Sequence, residues 1–253
     1  MIELDRLTKR YGSVTAVAEL SLRIERGELL VLLGGSGCGK TTTLKMINRL
    51  IEPSAGQVRI GGVAAQSLPP HALRRHIGYA FQQVGLFPHM SVAENVAVTP
   101  RLLGWPEERV AERVEGLLRL VELDPDEYGQ RHPDALSGGQ QQRVGLARAF
   151  AAEPEVVLLD EPFGALDPVT RDRLQRWFGQ IRREMSLTAV FVTHDMVEAL
   201  LLGDRIAVLD GGRLLQVGTP QELLRAPAHA TVAELMGTPR RHAEIVDRLL
   251  GES

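Results

Sequence analysis

Eight consecutive residues, Gly34-Gly35-Ser36-Gly37-Cys38-Gly39-Lys40-Thr41, concentrate phosphate chemistry in one short stretch. Their spacing is G-x-x-x-x-G-K-[ST], with no gaps. Glycines let the backbone fold tightly enough for several N–H groups to point at one spot. The apolar run Leu29-Leu30-Val31-Leu32-Leu33 comes just before and reads as a buried strand. From Thr42 to about Leu50 the chain reads as a helix, which brings its positive dipole end to the loop. Together these parts make a nest for a polyphosphate. Lys40 adds a point charge near the β/γ-phosphates, and Thr41 adds a hydroxyl for Mg²⁺.

Further candidates stand where other apolar runs end. Val156 to Leu159 lead into Asp160-Glu161-Pro162, and Ala189 to Thr193 lead into His194-Asp195. Ligands of open α/β sheets sit at the carboxyl ends of strands. A carboxylate placed as Asp160 is suits Mg²⁺, directly or through water. Glu161 beside it can orient or deprotonate a water for attack on a γ-phosphate. In isolation this dipeptide would read as an acidic turn; beside the glycine loop it reads as a metal and water site. Two carboxylates repel a triphosphate of about four negative charges, so the metal is needed for binding. His194 could hydrogen-bond a phosphate or be structural. Gln82, after the strand Ile77 to Phe81, could reach Mg²⁺ or the attacking water, or be a surface glutamine. Tyr11, in the Tyr11-Gly12 turn, could stack on a purine or pack on the sheet. In Leu136-Ser137-Gly138-Gly139-Gln140, Ser137 can cap a helix to about Ala152, which makes a second anion site. It lies far in sequence from Lys40, and two chains facing each other would bring both to one phosphate. The alternative is an ordinary cap with a flexible double glycine.

The elements that must position these residues follow from the pattern. Ile2 to Ile24 alternate apolar and polar residues as short strands, and Gln57 to Ile60 form another, ended by Gly61-Gly62. From about Phe87 to Phe150 the chain turns helical. Ser91-Val92-Ala93-Glu94 has capping-box form, and Val110, Val114, Leu117, Leu118 and Val121 recur at helical spacing. Asp167-Pro168 starts a helix to about Glu184. Short strands near Arg205 to Leu209 and Arg213 to Val217 precede a capping box at Thr219 to Glu222; the tail from Arg240 is helical at best. Alternating strands and helices argue for an α/β domain with a largely parallel sheet.

Composition bounds the function. The 253 residues suffice for one large domain or a domain with a subdomain, and 44% are hydrophobic. With 29 basic against 32 acidic residues and no long basic run, nucleic acid is not indicated as a partner. Arg182-Arg183 reads as a solvated helix face. The single cysteine, Cys38, permits no internal disulfide and fits a reducing compartment. The N-terminus lacks the layout of a signal peptide, and no run approaches ~20 apolar residues, so any membrane role is expected to be peripheral.

Taken together, these motifs resemble the ATP-binding subunit of an ABC transporter, over Ile2 to about Gly237. The resemblance rests on Walker A (Gly34 to Thr41), the Q-loop at Gln82, the signature Leu136 to Gln140, Walker B (Val156 to Asp160) with Glu161, the D-loop around Ala165-Leu166-Asp167, and the switch His194. It implies an α/β P-loop NTPase fold with an N-terminal antiparallel β-subdomain. Within residues 1–237 it implies a helical signature subdomain at about 87–150, and a short tail follows at 238–253. It further implies ATP held by Tyr11, by Gly34, Gly35, Ser36, Gly37, Cys38, Gly39, Lys40, Thr41 and Thr42, and by Ser137, Gly138, Gly139 and Gln140 of a second copy. Mg²⁺ would lie at Thr41, Gln82 and Asp160, and catalysis would rest on Glu161, His194 and Gln82. The partners implied are a second copy in a head-to-tail dimer, transmembrane permease subunits and, indirectly, a solute-binding protein, at the cytoplasmic face of the plasma membrane. Cys38 lies in the loop, so a bulky thiol reagent is expected to block ATP.

Gln82-Gln83-Val84-Gly85-Leu86-Phe87-Pro88-His89-Met90 and Pro100-Arg101-Leu102-Leu103 are similar to the importers of glycine betaine, carnitine and choline. Residues Gln82 to Met90 would then face a permease helix, the alternative for Leu86-Phe87-Pro88 being internal packing. Many such ATPases carry tandem regulatory domains after this point, where only Thr238 to Ser253 remain here. The other readings are an ABC importer for amino acids or inorganic anions, and a soluble ABC ATPase acting on DNA or ribosomes.

Overall fold

The computed structural model describes residues 1–82 and 85–239. They divide into two compact units: Met1–Ile24, Glu28–Gly62 and Val190 onward form the first, Glu25–Gly27 and Val63–Ala189 the second.

The first unit opens with an antiparallel pair, β1 (Ile2–Tyr11) and β2 (Val14–Ile24), and β1 pairs on its other edge with β4 (Ala55–Ile60). Ile2, Leu4, Leu22, Ile24 and Val58 face inward with the period of two that a half-buried strand requires. The pair is long, where the alternation suggests short strands. Its register shifts between Leu4 and Leu7, and Arg6 and Glu19 take left-handed φ of 44° and 50°. Such irregularities break the apolar alternation without ending the ladder.

β3 (Leu29–Leu33) is buried at every residue and pairs in parallel with β9 (Arg205–Asp210), which pairs antiparallel with β10 (Arg213–Gly218). β3 feeds the glycine loop and α1 (Lys40–Ile47), which starts and stops earlier than its sequence pattern suggests. β8 (Thr188–Thr193), also buried throughout, leads to α8 (Met196–Leu202). α9 (Pro220–Arg225) starts at a Thr219 capping box, and residues 230–239 are helical. The stretch from Arg240 lies outside the described residues.

The second unit holds β5 (Val63–Ala64), α2 (Pro70–Arg75) and β6 (Ile77–Ala80). It continues with α3 (Val92–Leu102), α4 (Glu107–Leu120), α5 (Pro125–Tyr128), α6 (Gly138–Phe150), β7 (Val156–Asp160) and α7 (Pro168–Glu184). β6 and β7 are parallel, with Tyr79 opposite Leu158. α4 buries Val110, Val114, Leu117 and Leu118, as its spacing requires, and Val121 just beyond it is also buried. α6 crosses β6 so closely that a Cβ on Gly78 would lie 2.1 Å from the Ala149 carbonyl oxygen, which only glycine avoids. Phe150 stands edge-on to Trp177 and Phe178, and Phe163 to Phe178. Each such pair adds about 0.5–1.5 kcal/mol beyond its buried area. Because Phe163 belongs to the turn after β7, the cluster ties that turn to α7.

Arg182 corrects the reading of Arg182-Arg183 as a solvated face. Arg183 is exposed, but Arg182 is buried and donates to the Gly27 carbonyl at 3.3 Å. Its aliphatic stem packs inward while the guanidinium finds a backbone acceptor. No described helix is long and apolar enough to cross a membrane.

Candidate functional site

In the first unit, the glycine loop takes its shape from backbone alone. Gly34 leaves β3 at φ 155°, and a Cβ there would lie 2.2 Å from the Leu209 carbonyl oxygen. Gly39 has φ 100°, and its Cβ would lie 2.5 Å from the Ala16 carbonyl oxygen. Gly39 is also the N-cap of α1 and offers no side-chain oxygen to the first-turn N–H groups. That suits a helix start that takes an anion's oxygens instead.

Lys40 is buried, and its Nζ donates to the carbonyls of Gly34 at 2.7 Å and Gly35 at 2.9 Å, with Cys38 Sγ at 3.7 Å. The loop thus carries a fixed positive charge. Gly35, Ser36 and Gly37 are exposed, whereas Thr41 and Thr42 are half-buried. Cys38 is only 4% exposed, so a bulky reagent must open the loop to reach its thiol.

Tyr11 closes β1 with half its surface exposed and Lys9 Nζ 5.1 Å from its ring centroid. About half of the residue is thus open to solvent and able to meet a planar group. His194 is exposed just past β8. The turn presenting it is locked by two buried residues: Thr193 Oγ1 donates to Glu198 Oε2 at 2.6 Å and accepts the Asp195 N–H at 2.9 Å. Asp195 in turn caps α8. Thr193 and Glu198 escape sequence reasoning, although an Asp cap two residues after a strand-ending Thr is a usable signal.

In the second unit, Asp160 ends β7 and is 2% exposed. On the neighbouring β6, burial first and the Asp160 charge second push the Tyr79 hydroxyl's pKa above its ordinary value, so Tyr79 stays neutral. Glu161 is half-buried with φ 48°. A non-glycine residue holds that left-handed conformation at a cost of about 1–2 kcal/mol, so its surroundings must enforce it. Its carbonyl accepts the Gly164 N–H at 3.2 Å and Gln142 Nε2–H at 2.9 Å. Gln142 Oε1 accepts the Ala165 N–H at 2.8 Å. Asp167 then caps α7, and hydrogen bonds from the Thr170 and Val169 N–H groups hold its carboxyl below the usual range.

Ser137 and Gly138 are exposed at the start of α6, while Gly139 and Gln140 are half-buried. Ser137 Oγ accepts the Gln140 N–H at 3.3 Å, and Gln140 Oε1 accepts the Ser137 N–H at 2.8 Å. This is a capping box that uses no carboxylate. Gln82 is exposed after β6; Gln83 and Val84 lie outside the described residues. Beyond them, the fully buried Asn95 holds Phe87 by both backbone groups, at 2.8 and 3.1 Å, and also donates to the Met90 and Ser91 carbonyls. Phe87 is left 40% exposed, so it is not fully packed inside. A hydroxyl at Thr41, a carboxylate at Asp160 and an amide oxygen at Gln82 are all hard oxygen donors of the kind Mg²⁺ takes.

Comparison with known proteins places this geometry. The family model described as ABC transporter matches residues 17–164. The glycine betaine/carnitine/choline transport ATP-binding protein of Bacillus subtilis (strain 168) is 54% identical over 241 residues, covering 95% of this chain and 63% of that protein. Its choline transport ATP-binding protein is 53% identical with the same coverage. The glycine betaine uptake system ATP-binding protein of Escherichia coli (strain K12) is 48% identical, covering 94% of this chain and 77% of that one. The chain therefore spans less than two thirds of the length of the two Bacillus relatives. A solved post-hydrolysis dimer of the ATP-binding cassette MJ0796, bound to ADP and Pi, superposes with a TM-score of 0.81 at 33% identity, covering 87% of this chain and 98% of that one.

Proposed function

Because the chain belongs to the ABC transporter family, we propose that it is the ATP-hydrolysing subunit of an importer for a small osmoprotectant such as glycine betaine, carnitine or choline. The observation that carries the ATP part is the glycine loop: a fixed Lys40 ammonium and exposed loop backbone ahead of a helix with no side chain at its cap. The solute is supported by the names of relatives at about half identity.

In this reading residues 1–237 form the nucleotide-binding domain, with the helical segment near 87–150 inserted and 238–253 as a tail. Tyr11 stacks on adenine. The loop from Gly34 to Thr42 holds the phosphates, and Lys40 sits at the β/γ-phosphates. Thr41, Asp160 and Gln82 would hold Mg²⁺, which neutralises developing phosphate charge when bound. Glu161 orients or deprotonates the attacking water, and His194 hydrogen-bonds the γ-phosphate. Ser137, Gly138, Gly139 and Gln140 of a second copy complete the site, so ATP binding closes a homodimer and hydrolysis reopens it. The protein lies peripherally on the cytoplasmic face of the membrane, bound to permease subunits, and meets the solute only indirectly through a solute-binding protein.

The test is recovery of the tagged chain from detergent-solubilised native membranes, with partners identified by mass spectrometry. A multi-span permease together with a solute-binding protein is expected. Thermal shift of that binding protein should then respond to betaine, choline or carnitine; a response to amino acids or inorganic anions alone would replace the solute. Ribosomes or DNA-bound factors in place of a permease would overturn the transport reading.

A further inference from the structure

We infer that Gln142 is a positioning residue for hydrolysis: its side-chain amide holds the Glu161 backbone and ties it to the helix that Ser137 caps. This rests on the ATPase reading above. The amide spans the turn with both ends. Nε2–H donates to the Glu161 carbonyl at 2.9 Å, and Oε1 accepts the Ala165 N–H at 2.8 Å. Gln142 is 5% exposed, so neither bond competes freely with water. The residue it holds has the left-handed φ of 48°, which relaxes unless something enforces it.

The other end of the link is equally short. Gln142 lies in the second turn of α6, whose first turn begins at the Ser137 capping box. On that first turn a Cβ at Gly139 would come within 3.3 Å of the Ala165 carbonyl oxygen, so α6 lies against the same turn at two levels. A rigid helix cannot shift at Ser137 without moving the Gln142 amide, and that amide cannot move without releasing the Glu161 carbonyl. Occupation of the α6 N-terminus by a phosphate would therefore be felt at the carboxylate that handles the water. Neither Gln142 nor Ala165 needs to touch the nucleotide.

The experiment compares steady-state ATP turnover of the purified full chain, wild type against Gln142→Met, which keeps length and shape without the amide. A displacement of about 1 Å at a catalytic group costs on the order of 10²-fold, so kcat should fall roughly 10–10²-fold with KM for ATP changed by less than about threefold. Gln142→Glu, assayed at alkaline pH so that its buried carboxyl is ionised, still accepts from Ala165 but cannot donate to Glu161 and should lose as much. The Ala165 amide should exchange hydrogen faster in the Met variant and stay protected in the Glu variant. Combined with Glu161→Gln, Gln142→Met should slow turnover no further. Multiplying losses in the double variant, wild-type kcat in the Glu variant, or a loss confined to KM would each overturn the proposal while the wild type still turns ATP over. A wild type that binds Mg·ATP and hydrolyses none would overturn the ATPase reading and this proposal together.

Discussion

The glycine loop and the Glu161 turn both place a short bend after a buried strand, and they are built by opposite means. In the loop, Gly34, Gly37 and Gly39 take positive φ, and at Gly34 and Gly39 neighbouring carbonyls leave no room for a Cβ. Its charged residue folds back on two of its own carbonyls. In the turn, a glutamate takes the positive φ. Phe163 is fully buried against Phe178, and the Gln142 amide closes the bend from another element. The first shape is intrinsic to its residues and the second is imposed by packing. A loop of the first kind should keep its form when neighbours change but fail when a glycine changes; a turn of the second kind should do the reverse.

The largest expected effect probes the turn. Glu161→Gln keeps the side chain's size and the imposed backbone but removes the carboxylate proposed as the base, so ATP binding should persist while turnover falls roughly 10²–10⁴-fold. Near-normal turnover would remove Glu161 from the chemistry and leave the turn a purely structural bend. The next effect probes the loop. Gly34→Ala forces a Cβ towards Leu209 and Cys38 Sγ at a φ that alanine avoids. Overpacking of this sort costs about 1–3 kcal/mol, so calorimetry should show a lower Tm and weaker ATP binding together. A stable variant with unchanged ATP affinity would mean the loop is not backbone-determined.

This division also decides what the sequence could disclose. Glycines at fixed spacing announce the loop, because the cause and the shape lie in the same residues. Asp160-Glu161 is equally visible as an acidic step after an apolar run. The positive φ of Glu161 is not visible, since nothing local to a glutamate predicts it. Nor does Gln142 stand out in Gln140-Gln141-Gln142; which amide faces inward depends on the packing of α6. Asn95 and Thr193 bond residues only two to eight positions away, yet their burial, which makes those bonds structural, comes from the packing around them. Long amphipathic helices and capped starts such as Asp167-Pro168 are legible at residue level. The short helices α2, α5 and α8 are not, because too few turns repeat to show a period.

A smaller effect separates cap from ligand site. Ser137→Ala removes the Oγ that accepts the Gln140 N–H, at a cost of about 1 kcal/mol in helix stability. If Ser137 only caps α6, a modest drop in Tm is the whole result. If it also meets the γ-phosphate of a partner, light scattering should show fewer ATP-driven dimers at a temperature where both proteins are folded. An unaltered dimer fraction would place the signature among ordinary caps.

The smallest effect comes from acid, and it follows how helix starts are capped. Glu94, Asp167 and Glu222 all accept backbone N–H bonds at the starts of α3, α7 and α9, and those bonds hold their carboxyls below the ordinary range. A carboxyl that is more acidic folded than unfolded adds stability above its unfolded pKa and loses it as pH falls through the folded value. Tm should therefore decline from about pH 4.5 downward, where model carboxylates begin to protonate, and Glu94→Gln, Asp167→Asn and Glu222→Gln should together flatten the profile. α1 and α6 carry no acid in their first turns, and the α6 capping box uses Gln140 where a glutamate would serve the cap equally well. A helix start that receives phosphate must lack a resident negative charge, whereas an ordinary start gains from one. Gln140→Glu should thus raise Tm slightly at pH 7, steepen its fall in acid and weaken ATP-driven dimerisation. A glutamate there that stabilises the helix and leaves dimerisation intact would show that the missing acid is incidental.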